Sequence, residues 1–163
     1  CETLFSNLNT REVTVAPLPH LPIIKDLAVD MEPFYKKFEG LQPYLKPSSM
    51  PPQQEWTQSI KQRQAINEVT DCVFCAACYS ACPLTWSSSG YPGPAALSKV
   101  YRFVADSRDG ARGERLATVD GEDGVWRCHT IFNCVEACPK RINQTRAIEK
   151  LRRHILARHL RFW

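Results

Sequence analysis

The sequence predicts a mainly α-helical domain behind an extended N-terminal lead-in, and three observations carry that reading. Seven of the eight cysteines fall into two tight groups, Cys72, Cys75, Cys78 and Cys82, then Cys128, Cys134 and Cys138. Apolar residues recur at helical spacing between and after these groups. Twelve prolines against seven glycines point to many interrupted segments rather than a few long ones. The 163 residues are 44% apolar and 23% charged, an ordinary globular composition that excludes disorder and fibrous repeats.

Residues 1–50 read as a lead-in and linker with one short helix. Val13, Val15 and Leu18 alternate and run into the Pro-Leu-Pro-His-Leu-Pro segment at 17–22, the pattern of a strand end and an extended connection. Asp30 is expected to cap a helix reaching Glu39, with Phe34, Tyr35 and Phe38 on one face and Gly40 as its stop. A Pro-rich connection occupies 43–53. Residues 51–163 read as the helical domain. Trp56, Ile60, Ala65, Ile66 and Val69 have roughly helical spacing over 55–69. Gly93-Pro94 opens a helix to about Ser107, with Leu97, Val100, Tyr101 and Val104 as its apolar stripe. A polar stretch, 108–124, holds one short helix around 114–117, and a last helix runs from Asn143 to about Leu160. The longest stretch without Asp, Glu, Lys or Arg, 72–98, is no membrane span, since it contains four cysteines, Pro83, Pro92 and Pro94 and a Ser-Ser-Ser-Gly break.

The cysteine spacing carries the chemistry. A disulfide framework spreads its cysteines through the chain, and neighbours three apart on a turn pair poorly. Structural zinc takes two separated C-x2-C knuckles rather than three cysteines in immediate succession. Cys72-Val-Phe-Cys75-Ala-Ala-Cys78-Tyr-Ser-Ala-Cys82-Pro83 is instead the C-x2-C-x2-C-x3-C-P run of bacterial-type ferredoxins, in which the fourth thiolate reaches the neighbouring cluster. The offsets of this run, laid from Cys128, fall on Ile131, Cys134 and Cys138, again followed by a proline, Pro139. The run is thus duplicated with one ligand replaced by an aliphatic residue. With the fourth cysteines crossing over, Cys72, Cys75, Cys78 and Cys138 are expected to hold a 4Fe–4S cluster. Cys82, Cys128 and Cys134 then hold the other, and a cubane corner facing Ile131 loses its iron, giving 3Fe–4S. Small residues (Ala76, Ala77, Ala81) let the chain hug a cluster, and each proline redirects it afterwards. The formal charge of +4 counts cysteines as neutral; two clusters of about −2 each cancel it, so the basic balance is no argument for nucleic acid.

With both runs placed, the chain resembles the iron–sulfur subunit of succinate dehydrogenase, respiratory complex II. The resemblance covers nearly the whole chain: 17–31 and Pro43-Tyr44-Leu45 in the lead-in, then Gly93-Pro94-Ala95, Tyr101-Arg102-Phe103 and Asp106-Ser107-Arg108-Asp109 between the runs. Arg127-Cys128-His129-Thr130-Ile131 and Asn133-Cys134 match at the second run. The family's N-terminal plant-type ferredoxin domain, with its 2Fe–2S cluster, has no counterpart here. Cys1 lies about where that domain's last ligand falls. It reads either as a free thiol or as a ligand completing a 2Fe–2S cluster whose other ligands sit on a separate plant-type ferredoxin chain, in a split subunit. The sequence opens without Met, read as processing, such as removal of an organellar transit peptide, or as a start partway through a longer gene product.

The resemblance implies a relay from a flavoprotein subunit through 2Fe–2S, 4Fe–4S and 3Fe–4S clusters to ubiquinone. It places the chain peripherally on the matrix side of the mitochondrial inner membrane, against membrane-anchor subunits. Fumarate reductase, the same relay in reverse, is the alternative within that class; a zinc-stabilised structural module is the alternative outside it. Pro83, Trp86, His129 and Ile131 map to the quinone side. Ser87 replaces a usual Trp, the family's quinone hydrogen-bond donor, leaving Trp86 or another subunit for that role. Leu84 replaces a usual Ser, and Arg141 and Gln144 replace a usual Gly and Pro. His20, His154 and His159 read as surface or core residues. Lys150, Arg152, Arg153, Arg158 and Arg161 suit the C-terminal end of a helix dipole as solvated charges, with anionic lipid or an acidic partner as the sharper reading.

Overall fold

The structure, a computed structural model, describes residues 5–7 and 12–160. Residues 12–22 run without helix or strand, and Val13 and Val15 are exposed rather than part of a strand. Strands appear later, as the antiparallel pair β1 (Ile23–Lys25) and β2 (Ala28–Val29), with Ile23 opposite Val29. Helix α1 spans Glu32–Glu39. Asp30 acts one residue ahead of the cap position, its Oδ1 accepting from the Glu32 N–H at 2.9 Å. Gly40 ends the helix in right-handed geometry, so its stop uses no glycine-specific conformation. Phe34 is buried, whereas Tyr35 faces outward.

Helix α2 spans Ile60–Thr70, starting five residues later than the apolar spacing predicts. Ser59 and Gln62 form a capping box there: Ser59 Oγ accepts from the Gln62 N–H and Gln62 Oε1 from the Ser59 N–H. Trp56 therefore precedes the helix, and Ile60, on its first turn, is 79% exposed. Only Ile66 and Val69 of the expected stripe are buried. Two short helices follow, α3 (Ala77–Ser80) and α4 (Pro83–Ser87), then α5 (Pro94–Val104), whose Leu97, Val100, Tyr101 and Val104 are buried as their spacing requires. The polar stretch carries α6 (Arg112–Val119), longer than expected, and a 3₁₀ turn at Val125–Arg127. Helix α7 is Asn133–Glu136 and α8 is Gln144–Leu160. Asn143 Oδ1 accepts from the Arg146 N–H at 2.7 Å, which starts α8 where the sequence places it.

Helix α8 packs chiefly on α5, and α2 and α6 flank α5, so α5 is the axis of the domain. The main core joins Ile66, Leu97, Val104, Leu116, Ile148 and Leu151. A second core joins Phe34 of α1 with Ala76, Cys78, Tyr79, Ala95 and Cys134, so residues on both sides of position 50 share it. Cysteine side chains belong to both cores. Among the described residues, no helix is long and apolar enough to cross a membrane.

Candidate iron–sulfur site

The duplication in the sequence is also a duplication of backbone. Two and four residues after Cys72, Phe74 and Ala76 take left-handed conformations (φ 55° and 58°); two and four residues after Cys128, Thr130 and Phe132 do the same (58° and 70°). Helices α3 and α7 then begin at equal distance from the first cysteine of their run. Left-handed residues next to a helical turn form the backbone concavities that bind anions. For Phe74, Thr130 and Phe132, this conformation is uncommon enough to mark a functional constraint.

The two runs surround two cavities, each with about 310 Å³ of space counting the part open to solvent. Cys72, Cys75, Cys78 and Cys138 line the first, together with Phe74, Ala76, Pro139, Lys140 and Gln144. Cys82, Cys128 and Cys134 line the second, with Pro83, Tyr91, His129, Ile131, Phe132 and Thr145. The last cysteine of each run therefore opens into the other run's cavity. No disulfide links these seven cysteines. Among the described residues, no three His, Cys, Asp or Glu side chains are placed to hold a single metal ion. The seven thiols gather around these two spaces, and thiolates are the donors iron–sulfur clusters take.

Burial pushes the Cys72, Cys78, Cys82 and Cys134 thiols up, and neighbouring cysteines add to the effect. Thiols so placed would favour the thiolate only against a bound metal cation. Backbone N–H groups at Phe74, and at Leu84 and Thr85, counter the shift at Cys72 and Cys82, as does the Lys99 ammonium at Cys72. The donor set fits iron–sulfur clusters.

Around the second cavity several residues do what no spacing rule announces. Thr145, buried, has its hydroxyl 3.7 Å from Cys134 Sγ. Arg152 donates to the carbonyls of Val125 and Cys128, fixing the second run against α8. Arg158 donates to Gly113 O, and Lys150 Nζ meets Tyr101 Oη at 3.1 Å. These three cations are structural ties, correcting the reading of solvated charge; Arg161 lies outside the described residues. Tyr91 is fully buried against the cavity.

Of the residues expected on the quinone side, Pro83, His129 and Ile131 line the second cavity, and His129 and Ile131 are exposed at its rim beside Phe132. Trp86 does not line it. It stands 55% exposed two residues beyond Leu84 and stacks on His20, with ring centroids 4.5 Å apart. Ser87 is exposed. His154 contacts Arg112, and His159 contacts Asp120. Cys1 lies outside the described residues.

Residues 64–139 match the 4Fe-4S dicluster domain family. The succinate dehydrogenase iron–sulfur subunit of Paracoccus denitrificans is 43% identical over 148 residues, 90% of this chain and 57% of that protein. The chain is similar to that subunit over most of its own length. The subunit of the same name from Coxiella burnetii is 43% identical over 157 residues, 96% of this chain and 66% of that protein. The chain thus spans between half and two thirds of the length of these succinate dehydrogenase subunits. A chain of the Mycobacterium smegmatis Sdh1 complex in the apo form shares the fold, with a TM-score of 0.83 at 22% identity over 94% of this chain and 65% of that one.

Proposed function

We propose that this chain is an electron-relay subunit of succinate:quinone oxidoreductase. Residues 51–163 form its cluster-bearing domain and 1–50 its lead-in. Cys72, Cys75, Cys78 and Cys138 hold a 4Fe–4S cluster; Cys82, Cys128 and Cys134 hold a 3Fe–4S cluster. The observation that carries the reading is the sorting of seven thiols into two cavities by the crossed pattern of a two-cluster ferredoxin.

When bound, the clusters supply one-electron transfer, and the chain positions them and sets their surroundings. Ile131 stands where the duplicated run calls for a fourth thiolate at the second cavity. One negative charge fewer there raises the potential of the last centre, which suits delivery to a quinone. Arg152 locks the carbonyl of Cys128, and Thr145 supports Cys134. The exposed rim of this cavity is the exit to ubiquinone: Pro83 shapes its wall, His129 presents a hydrogen-bonding imidazole, and Trp86, held by His20, flanks it. The partners on this reading are a flavoprotein subunit and membrane-anchor subunits, with the chain peripheral to the mitochondrial inner membrane on its matrix side. On the family resemblance, Cys1 is a ligand of a 2Fe–2S cluster.

Anaerobic purification followed by iron and acid-labile sulfide analysis tests this. One 4Fe–4S and one 3Fe–4S centre per chain are expected, with the EPR signal of an oxidised 3Fe–4S centre. Zinc without sulfide overturns the reading. Copurification of a small plant-type ferredoxin chain tests the role of Cys1.

A further inference from the structure

The second cavity contains a buried hydroxyl that no oxygen or nitrogen acceptor among the described residues satisfies. Tyr91 is 0% exposed, lines the cavity beside Cys82, Cys128 and Cys134, and its Oη has no hydrogen-bond partner. Cys128 bears on it most strongly of the three thiols, but a neutral thiol is a weak acceptor and leaves the hydroxyl effectively unpaired. A hydroxyl orphaned in this way loses its hydration without compensation, and such groups are rare in native proteins. Phenylalanine fills the same space without that cost. The residue is also firmly held: its N–H donates to Ser88 O at 3.3 Å, and its carbonyl accepts from Lys37 Nζ at 2.9 Å. The ring cannot swing away to find another partner, and Thr145, the neighbouring buried hydroxyl on the cavity wall, already has Cys134.

We propose that the Tyr91 hydroxyl donates a hydrogen bond to cluster sulfur on the Cys128 side of the second cavity and thereby raises the reduction potential of that centre. Resting on the 3Fe–4S assignment above, this adds a tuning residue that touches no substrate and ligates no iron. A donor aimed at sulfur stabilises the more negative, reduced state and so favours electron acceptance. Position 91 falls between the cysteine runs, in a Tyr-Pro-Gly-Pro turn that packs α5 against α3, so the turn that opens the main helix also places the donor.

The test is an EPR-monitored redox titration of the 3Fe–4S signal in the assembled holoprotein. Tyr91→Phe is expected to shift the oxidised-to-reduced ratio about tenfold towards oxidised at the parent midpoint, equivalent to 59 mV for one electron. Replacing Tyr91 with 3-fluorotyrosine, nearly isosteric and a stronger donor, is expected to shift it the opposite way. That second substitution keeps the test alive if the Phe variant assembles poorly. Tyr101→Phe, whose hydroxyl serves Ala65 O outside the cavity, should leave the midpoint in place. Superimposable titrations for the parent and both Tyr91 substitutions overturn the inference. Absence of any 3Fe–4S signal in the parent overturns the assignment beneath it instead.

Discussion

Arg115 and Asp109 form a forked ion pair inside the domain, Nη2 to Oδ2 at 2.8 Å and Nε to Oδ1 at 3.1 Å, with both residues buried. The same guanidinium donates to the carbonyls of Gln42 and Tyr44, and Asp109 accepts from the Lys46 N–H. One pair thus fastens the Pro-rich connection to α6. Removing the cation strands a buried carboxylate and two carbonyls, so Arg115→Ala should cost about 3–5 kcal/mol. Arg115→Lys should recover only part, because a point ammonium cannot reproduce the fork. Denaturant unfolding of the anaerobic holoprotein checks this; a loss below about 1 kcal/mol for Arg115→Ala would contradict it.

Ile131 occupies the position at which the first run carries Cys75. On the proposed assignment Ile131→Cys supplies a fourth thiolate at the rim of the second cavity, and the oxidised 3Fe–4S EPR signal should give way to that of a 4Fe–4S centre on reduction. An unchanged spectrum would remove Ile131 from the ligand geometry.

Gly93, immediately before α5, has φ +94° and ψ 166°, a region essentially closed to other residues. A Cβ there would meet the Tyr79 ring at 2.8 Å. Gly93→Ala is expected to destabilise the protein by about 1–3 kcal/mol and to lower its iron content, because Tyr79 belongs to the core that carries Cys78 and Cys134. The thermal midpoint and the iron-to-protein ratio report it; values matching the parent would show that the turn relaxes freely.

His154 accepts at Nδ1 from the Arg112 guanidinium at 3.0 Å, which puts its proton on Nε2. Burial, reinforced by the Arg112 and Lys150 charges, holds its pKa below the ordinary 6.5. The unfolded chain therefore takes up this proton first as pH falls. The contribution of His154 to stability is complete above about pH 6.5 and declines as pH drops through the folded value. His154→Gln should flatten that decline between neutral and mildly acidic pH. Parallel stability curves for the two proteins over this range would rule out the contribution.

The cysteine spacing, a local pattern, made the lining of both cavities legible because the backbone of the run repeats wherever the run repeats. Helices α5 and α8 were legible for a related reason: Gly93-Pro94 and Asn143 mark their starts, and their apolar stripes are long. The start of α2 was misplaced because the apolar series begun at Trp56 was followed without regard to the Ser59…Gln62 box, a signature present in the sequence. The β1–β2 pair is too short for any periodicity to show. Tyr91, Thr145, Arg115 and Arg152 were missed for a deeper reason. Their roles come from what packs against them across the fold, and a tyrosine in a turn or an arginine in a polar stretch carries no trace of that.

The exchange of Cys82 and Cys138 between cavities has a consequence for biosynthesis. When a growing chain has reached residue 127, one cavity lacks a corner and the other has a single thiol. On the proposed ligand assignment neither centre would be finished on the first half alone, and both would become complete within the same eleven residues, 128–138. Metal loading would then wait until the two halves have met.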